Sequence, residues 1–334
     1  DATDDFLAPL DVCGYNYCLN RYESDAKRHP DRIIYASESY ASQAYDYWKG
    51  VEDHSWVIGD FIWTAFDYIG EASIGWCGYP LDKRIFPWNH ANCGDLNLSG
   101  ERRPQSYLRE TLWSDAPVSH IVVTPPVPSF PLNPDKADWS VWNFPDVVDH
   151  WNFPGYEGKK MTVSVYSNCE QVELFLNGES LGRKSIGGVY VVTYEVPYHP
   201  GKLEAVSYLN GVEAGRAVLQ TAGKAVKLKV EADRNELPAD GESLTFVKIR
   251  LEDAAGNFNR RESAAVTIKV EGCAALQGFG SADPSCEGSY QSHTWNTYDG
   301  SVMAVIRAAK CSGKAVVTIS AVNFAEEKLV LNIK

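Results

Sequence analysis

The stretch Ile33-Ile34-Tyr35-Ala36-Ser37-Glu38 constrains the fold most strongly. It is an apolar run too short for a helix and without polar alternation, which suits a strand buried on both faces. His29-Pro30-Asp31-Arg32 ahead of it predicts a turn, because proline fixes φ and Asp bonds nearby backbone. A carboxylate at the C-terminal end of such a strand is where parallel α/β barrels keep their chemistry. Taken alone, Glu38 also fits a helix N-cap region or an ordinary surface position.

The neighbouring stretches add to it. Leu10 to Tyr17 predicts a second buried strand that ends in polar and aromatic residues. Arg21 to His29 is polar and fits a short helix or loop. Tyr40, Ala44, Tyr47 and Trp48 fall close to helical spacing, with Gly50 as the expected stop. Val57 to Phe66 predicts a third strand. Arg102 to Trp113 predicts a helix opened by Pro104, with Tyr107, Leu108, Thr111 and Leu112 as its buried stripe. Strands alternating with helices in this way imply parallel pairing through crossovers. Each strand ends in residue types that a sugar site uses: Asn16 and Tyr17, then Glu38, then Trp63.

The runs Gly14-Tyr15-Asn16-Tyr17, Ile34 to Glu38 and Val57 to Glu71 together resemble glycoside hydrolase family 2, the beta-galactosidase group. The resemblance implies the last three strands of a (β/α)8 catalytic barrel, with Arg103-Pro104-Gln105-Ser106-Tyr107 opening its closing helix. It makes Glu38 the catalytic nucleophile and Tyr17 the hydroxyl donor that orients and later helps release it. It makes Asn16 and Trp63 substrate-binding residues, Trp63 as a floor for the sugar ring before a cis peptide to Thr64. Asp60, Asp67 and Glu71 fit structural hydrogen bonding behind the site better than a direct role. Trp76, Trp88 and His90, in the long loop before the last helix, fit an outer subsite or plain packing equally.

One departure from the family matters. A retaining glycosidase needs two carboxylates about 5–5.5 Å apart, one as nucleophile and one as acid/base. The resemblance puts the acid/base in an Asn-Glu pair on an earlier strand, and no such pair precedes Glu38. Asn235-Glu236 lies far downstream in sequence of a different kind. A whole barrel takes about 250 residues, more than twice what this segment offers. The expectation is therefore the C-terminal portion of a larger hydrolase, inactive alone. Its expected partners are a carbohydrate substrate and the missing N-terminal part of the same enzyme, since a partial barrel leaves strand edges uncovered.

Six prolines between Pro117 and Pro134 mark a linker. Beyond it, alternating runs such as Met161 to Tyr166 and Gln171 to Leu176 are joined by Asn177-Gly178 and Asn210-Gly211, which are strong hairpin turns. The pattern restarts near Ala225, with strands expected at Val226 to Val230, Leu244 to Leu251, Val266 to Val270, Val302 to Ile306 and Val316 to Ile319. The fold class expected is multidomain α/β plus all-β. Residues 1–115 are the incomplete barrel, 116–222 an immunoglobulin-like β-sandwich, and 223–334 a second one of bacterial immunoglobulin-like type. Both β-rich segments also resemble the sandwiches that follow the family 2 barrel. The aromatic run from Trp142 to Glu157 fits a packing plug better than carbohydrate contact.

The formal net charge of −13 argues against a nucleic-acid backbone as partner. No apolar run reaches the length of about 18 residues that a membrane span needs. The opening Asp1-Ala2-Thr3-Asp4-Asp5 has neither the basic nor the apolar region of a signal peptide, which fits a removed leader or an excised chain. A periplasmic or secreted location is expected. Eight cysteines form no CxxC pair and have no histidines at zinc spacing, so small thiols are favoured over metal ligands or disulfides. No metal or cofactor is expected; the acidic loops of the last domain fit solvated surface better than calcium ligands. Within the resemblance a beta-galactosidase is favoured over a beta-glucuronidase. The latter carries Asn-x-Lys where this chain has Asn97-Leu98-Ser99-Gly100-Glu101. The alternative reading is a non-catalytic carbohydrate-binding or scaffolding fragment.

Overall fold

The computed structural model describes residues 2–72, 74–75, 86–129 and 141–334. Two compact units divide the chain. Asp1–Asn97, Arg102–Asp149 and Tyr156–Leu219 make one; Leu98–Glu101, His150–Gly155 and Gln220–Lys334 make the other.

The first unit opens with α1 (Asp4–Leu7), β1 (Val12–Asn16), α2 (Tyr22–Arg28), β2 (Ile33–Ser39), α3 (Ala44–Asp53) and β3 (Val57–Ile62). The strands form a parallel sheet in the order β1-β2-β3, with Cys13 beside Ile34 and Ala36 beside Asp60. Alternate residues Cys13, Tyr15, Ile34 and Ala36 bury one face against Tyr22 of α2 and Tyr47 of α3. The other face is not buried in this chain, contrary to the expectation for an unalternating run. Val12 and Ile33 stand 38% exposed and Phe61, edge-on to Tyr35, 64%.

Helix α3 runs through Gly50 rather than stopping there. A Cβ at Gly50 would meet Leu19 Cδ1 at 3.2 Å, so the glycine serves close packing. After β3 come the short antiparallel pair β4 (Tyr68–Ile69) and β5 (His90–Ala91), then α4 (Pro104–Trp113). The expected apolar stripe on α4 is only half right. Thr111 and Leu112 are buried, but Gln105 and Ser106 take the places given to Tyr107 and Leu108. Gln105 is held inside because its Nε2 donates to the carbonyls of Cys93 and Gly94 at 2.8 and 2.9 Å.

The same unit continues into two antiparallel sheets. One is formed by β6 (Ser119–Val123), β7 (Lys160–Ser167) and β10 (Val191–Pro197). The other comprises β8 (Gln171–Leu176), β9 (Glu179–Ser185), β11 (Lys202–Leu209) and β12 (Val212–Gln220). Both Asn-Gly turns have the positive φ pairs the hairpins require, 53° and 87° at Asn177-Gly178, 52° and 76° at Asn210-Gly211. Tyr107 of α4 stacks on His120 of β6 with ring centroids 4.5 Å apart, and its hydroxyl donates to Asp149 at 2.8 Å.

The second unit carries two sheets around one core. One contains β13 (Lys227–Ala232), β15 (Leu244–Glu252), β17 (Ala274–Gly280) and β19 (Ser301–Ala308). The other contains β14 (Glu236–Leu237), β16 (Ala265–Gly272), β18 (Thr294–Asn296), β20 (Gly313–Ala321) and β21 (Glu327–Ile333). Ile249 and Leu251 from the first sheet and Ile268, Val317 and Leu331 from the second share that core. Strand β17 escapes a pattern search because Gly278 and Gly280 interrupt its alternation. Trp151 and Phe153 are buried in this unit, and Asn152 exchanges hydrogen bonds of 2.9 Å with the Ala222 backbone. Those two rings are packing, not a sugar platform. The seven described cysteines form no disulfide; Cys77 lies outside the described residues.

Candidate active site

The strand ends of β1, β2 and β3 bring the expected site residues together. Asn16 pairs with Glu38 in the β1–β2 register. Tyr17, one residue on, has φ +53°, an uncommon conformation for a non-glycine. Its backbone N–H donates to the Glu38 carbonyl at 2.9 Å, which holds the turn in place. That turn brings the Tyr17 hydroxyl into hydrogen-bond contact with the Glu38 carboxylate. Asn16 is exposed and its Oδ1 accepts from Ser37 Oγ at 2.6 Å. Trp63 is anchored beside the same strand end, its backbone N–H donating to Ser39 O at 2.9 Å, and the Trp63–Thr64 peptide is cis.

Burial pushes the Tyr17 hydroxyl well above its ordinary range. An indole N–H from Trp142 opposes that, and the Glu38 charge adds to it. Tyr17 is therefore a neutral phenol at physiological pH, able to donate to Glu38. Trp142 is the site residue that sequence reasoning assigned elsewhere. Its Nε1 donates to Tyr17 Oη at 3.2 Å, and its ring stands edge-on to Tyr17 and Tyr40, which stack on each other at 4.2 Å. The only sequence signal was the aromatic run that begins at Trp142.

A second relay of the same kind flanks the first. Trp63 donates to the Tyr68 hydroxyl, and Tyr68 donates to Glu71, an exposed carboxylate. Tyr68 is likewise pushed up, first by burial and then by the Glu71 hydrogen bond. Glu71 thus acts on Trp63 through Tyr68.

The other carboxylates sit behind the strand ends. Asp60 accepts from Arg109 Nη1 at 2.8 Å, and Arg109 Nε bonds Asp95 at 3.1 Å. Asp67 is fully buried and bound by both terminal nitrogens of Arg103, at 2.6 and 3.0 Å, and by Gly94 N–H at 2.8 Å. Burial raises it to about 6, with the Arg103 charge opposing the rise. Trp88 and His90 are buried, with Trp88 Nε1 donating to His90 O at 2.8 Å, so both pack the loop; Trp76 lies outside the described residues.

A glycosyl hydrolase family 2 member from Bacteroides cellulosilyticus of known structure is 69% identical, with a TM-score of 0.95 over 100% of this chain and 43% of its own. The family model "Glycoside hydrolase family 2 C-terminal domain 5" matches residues 228–330. The chain belongs to glycoside hydrolase family 2. Residues 158–215 match a domain of unknown function, DUF4982. Among curated relatives, beta-galactosidase BoGH2A of Bacteroides ovatus is 28% identical over 273 residues, 81% of this chain and 28% of its own length. A "Putative beta-glucuronidase" of Formosa agariphila is 32% identical over 242 residues, 71% of this chain and 20% of its own. The chain thus spans less than half the length of these relatives.

Proposed function

We propose that this chain is the C-terminal part of a retaining exo-β-glycosidase, a beta-galactosidase, whose nucleophile is Glu38. The observation that carries the reading is the Tyr17 hydroxyl set on the Glu38 carboxylate at the C-terminal end of a parallel strand. Glu38 attacks the anomeric carbon and forms a glycosyl-enzyme, while Tyr17 stays protonated and donates to it. Asn16 and Trp63 line the sugar. In this reading β1, β2 and β3 are the last strands of a (β/α)8 barrel.

The acid/base carboxylate lies outside this chain, since no Asn-Glu precedes Glu38. The open apolar face around Ile33 and Phe61 takes the remaining barrel strands of the same enzyme. A neutral sugar is favoured because residues 97–101 hold no lysine to meet a sugar carboxylate, and BoGH2A is named a beta-galactosidase.

The test compares the complete polypeptide with the 334-residue chain on a nitrophenyl β-galactoside. The complete enzyme is expected to hydrolyse it with retention and to lose that activity in Glu38→Gln. The chain alone is expected to be inactive. A clear rate from the chain alone, abolished by Glu38→Gln, would refute the reading.

A further inference from the structure

Resting on the reading of Glu38 as nucleophile, we infer that Trp142 is a positioning residue that fixes the direction of the Tyr17 hydroxyl proton. An indole N–H donates and never accepts. At 3.2 Å from Trp142 Nε1, the Tyr17 oxygen must therefore be the acceptor there. A phenol has one proton, and the Glu38 carboxylate, Tyr17's other polar contact, accepts only. Both ends of the relay are thus determined, and the proton is aimed at the nucleophile.

The ring is clamped as well as the hydroxyl. Tyr40 stacks on Tyr17 with the planes 24° apart, and Trp142 closes on both rings edge-on, at 6.4 Å from Tyr17 and 5.9 Å from Tyr40. The neighbouring relay from Trp63 through Tyr68 to Glu71 repeats the same order of donors on a carboxylate given no attacking role.

The consequence falls on breakdown of the glycosyl-enzyme. Water forms the new bond to the anomeric carbon as the bond to the Glu38 oxygen breaks. The electron pair stays on the Glu38 carboxylate, and the proton of the water goes to the acid/base carboxylate supplied by the rest of the enzyme. Tyr17 keeps its own proton throughout and stabilises the departing carboxylate through it. Without Trp142 the Tyr17 oxygen has an open lone pair for water, and its hydroxyl turns away part of the time.

The test uses the complete enzyme, trapped with a 2-deoxy-2-fluoro-β-galactoside, in a cycle of Trp142→Phe, Tyr17→Phe and the double variant. Trp142→Phe is expected to slow release of the trapped sugar about tenfold, the order of one charge-assisted hydrogen bond. The double variant should be no slower than Tyr17→Phe. Trp142→His, which keeps a ring N–H, should recover part of the loss. Losses that multiply in the double variant, or equal loss in the histidine and phenylalanine variants, would overturn the inference. Labelling that misses the Glu38 peptide would instead overturn the nucleophile assignment beneath it.

Discussion

The β1–β2–β3 sheet and the C-terminal sandwich are built from equally apolar strands, yet only the sandwich closes on itself. Val247, Ile249, Leu251 and Ile306 are 0% exposed there, whereas Ile58 and Phe61 of β3 stand 59% and 64% exposed. The sandwich completes its core from its own two sheets. The parallel sheet covers one face with its own helices and leaves the other open. The candidate site residues at strand ends sit on the open element, and the sandwich has no such constellation among the described residues. Closed packing and the candidate site are thus separated along the chain.

The two regions also treat a buried carboxylate in opposite ways. Asp67, in the first, is raised to about 6 by burial despite Arg103. Asp253, in the second, feels burial too, but hydrogen bonds from the Asn257 side chain and the N–H groups of Gly223, Asn257 and Ala255 lower it to about 2. A group of N–H donors aimed at one carboxylate outweighs its desolvation; a single guanidinium and fewer N–H groups around a fully enclosed one do not.

These contrasts can be broken by measurement. The largest effect is expected from Arg103→Met, which leaves the Asp67 carboxylate buried without its cation and should cost about 3–5 kcal/mol in chemical denaturation. A loss under about 1 kcal/mol would mean that Asp67 takes up a proton at little cost. Ile249→Ala should cost about 2–5 kcal/mol, since it opens a cavity in a closed core. Phe61→Ser in the same chain should stay within about 0.5 kcal/mol, as expected at an exposed position. Equal losses at the two positions would show that the Phe61 face is covered in solution.

The smallest effects are in pH. Asp67 has a folded value above its ordinary 3.8, so the folded form holds the extra proton and stability should fall as pH rises from about 4 to about 6. Asp253 has a folded value below 3.8, so its contribution is present above that pH and should be lost as pH falls from about 4 to about 2. Asp67→Asn should flatten the first slope of the melting temperature and Asp253→Asn the second. Interchanged slopes would refute both assignments.

How much of this was legible beforehand follows from how local each cause is. Strands β1, β2 and β3 were readable because an apolar run of strand length depends on its own residues, although β3 ends at Ile62 rather than running on to Phe66. Both Asn-Gly turns were readable because a positive φ pair is a property of two adjacent residues. The burial of Gln105 was not, since it depends on the carbonyls of Cys93 and Gly94 waiting to be satisfied. Nor was the continuation of α3 past Gly50, where a Cβ would press on Leu19 at 3.2 Å and touch Tyr22 at 3.5 Å.

Trp142 shows the division most sharply. By itself the sequence determined that Glu38 and Tyr17 end neighbouring strands and that an aromatic run follows the proline-rich linker. Only the tertiary structure decided that Trp142 reaches across 125 positions to donate to Tyr17. Strand pairing through short crossovers is written in local pattern. The direction of one hydroxyl proton depends on which group folding brings within about 3 Å of it, and no local pattern carries that.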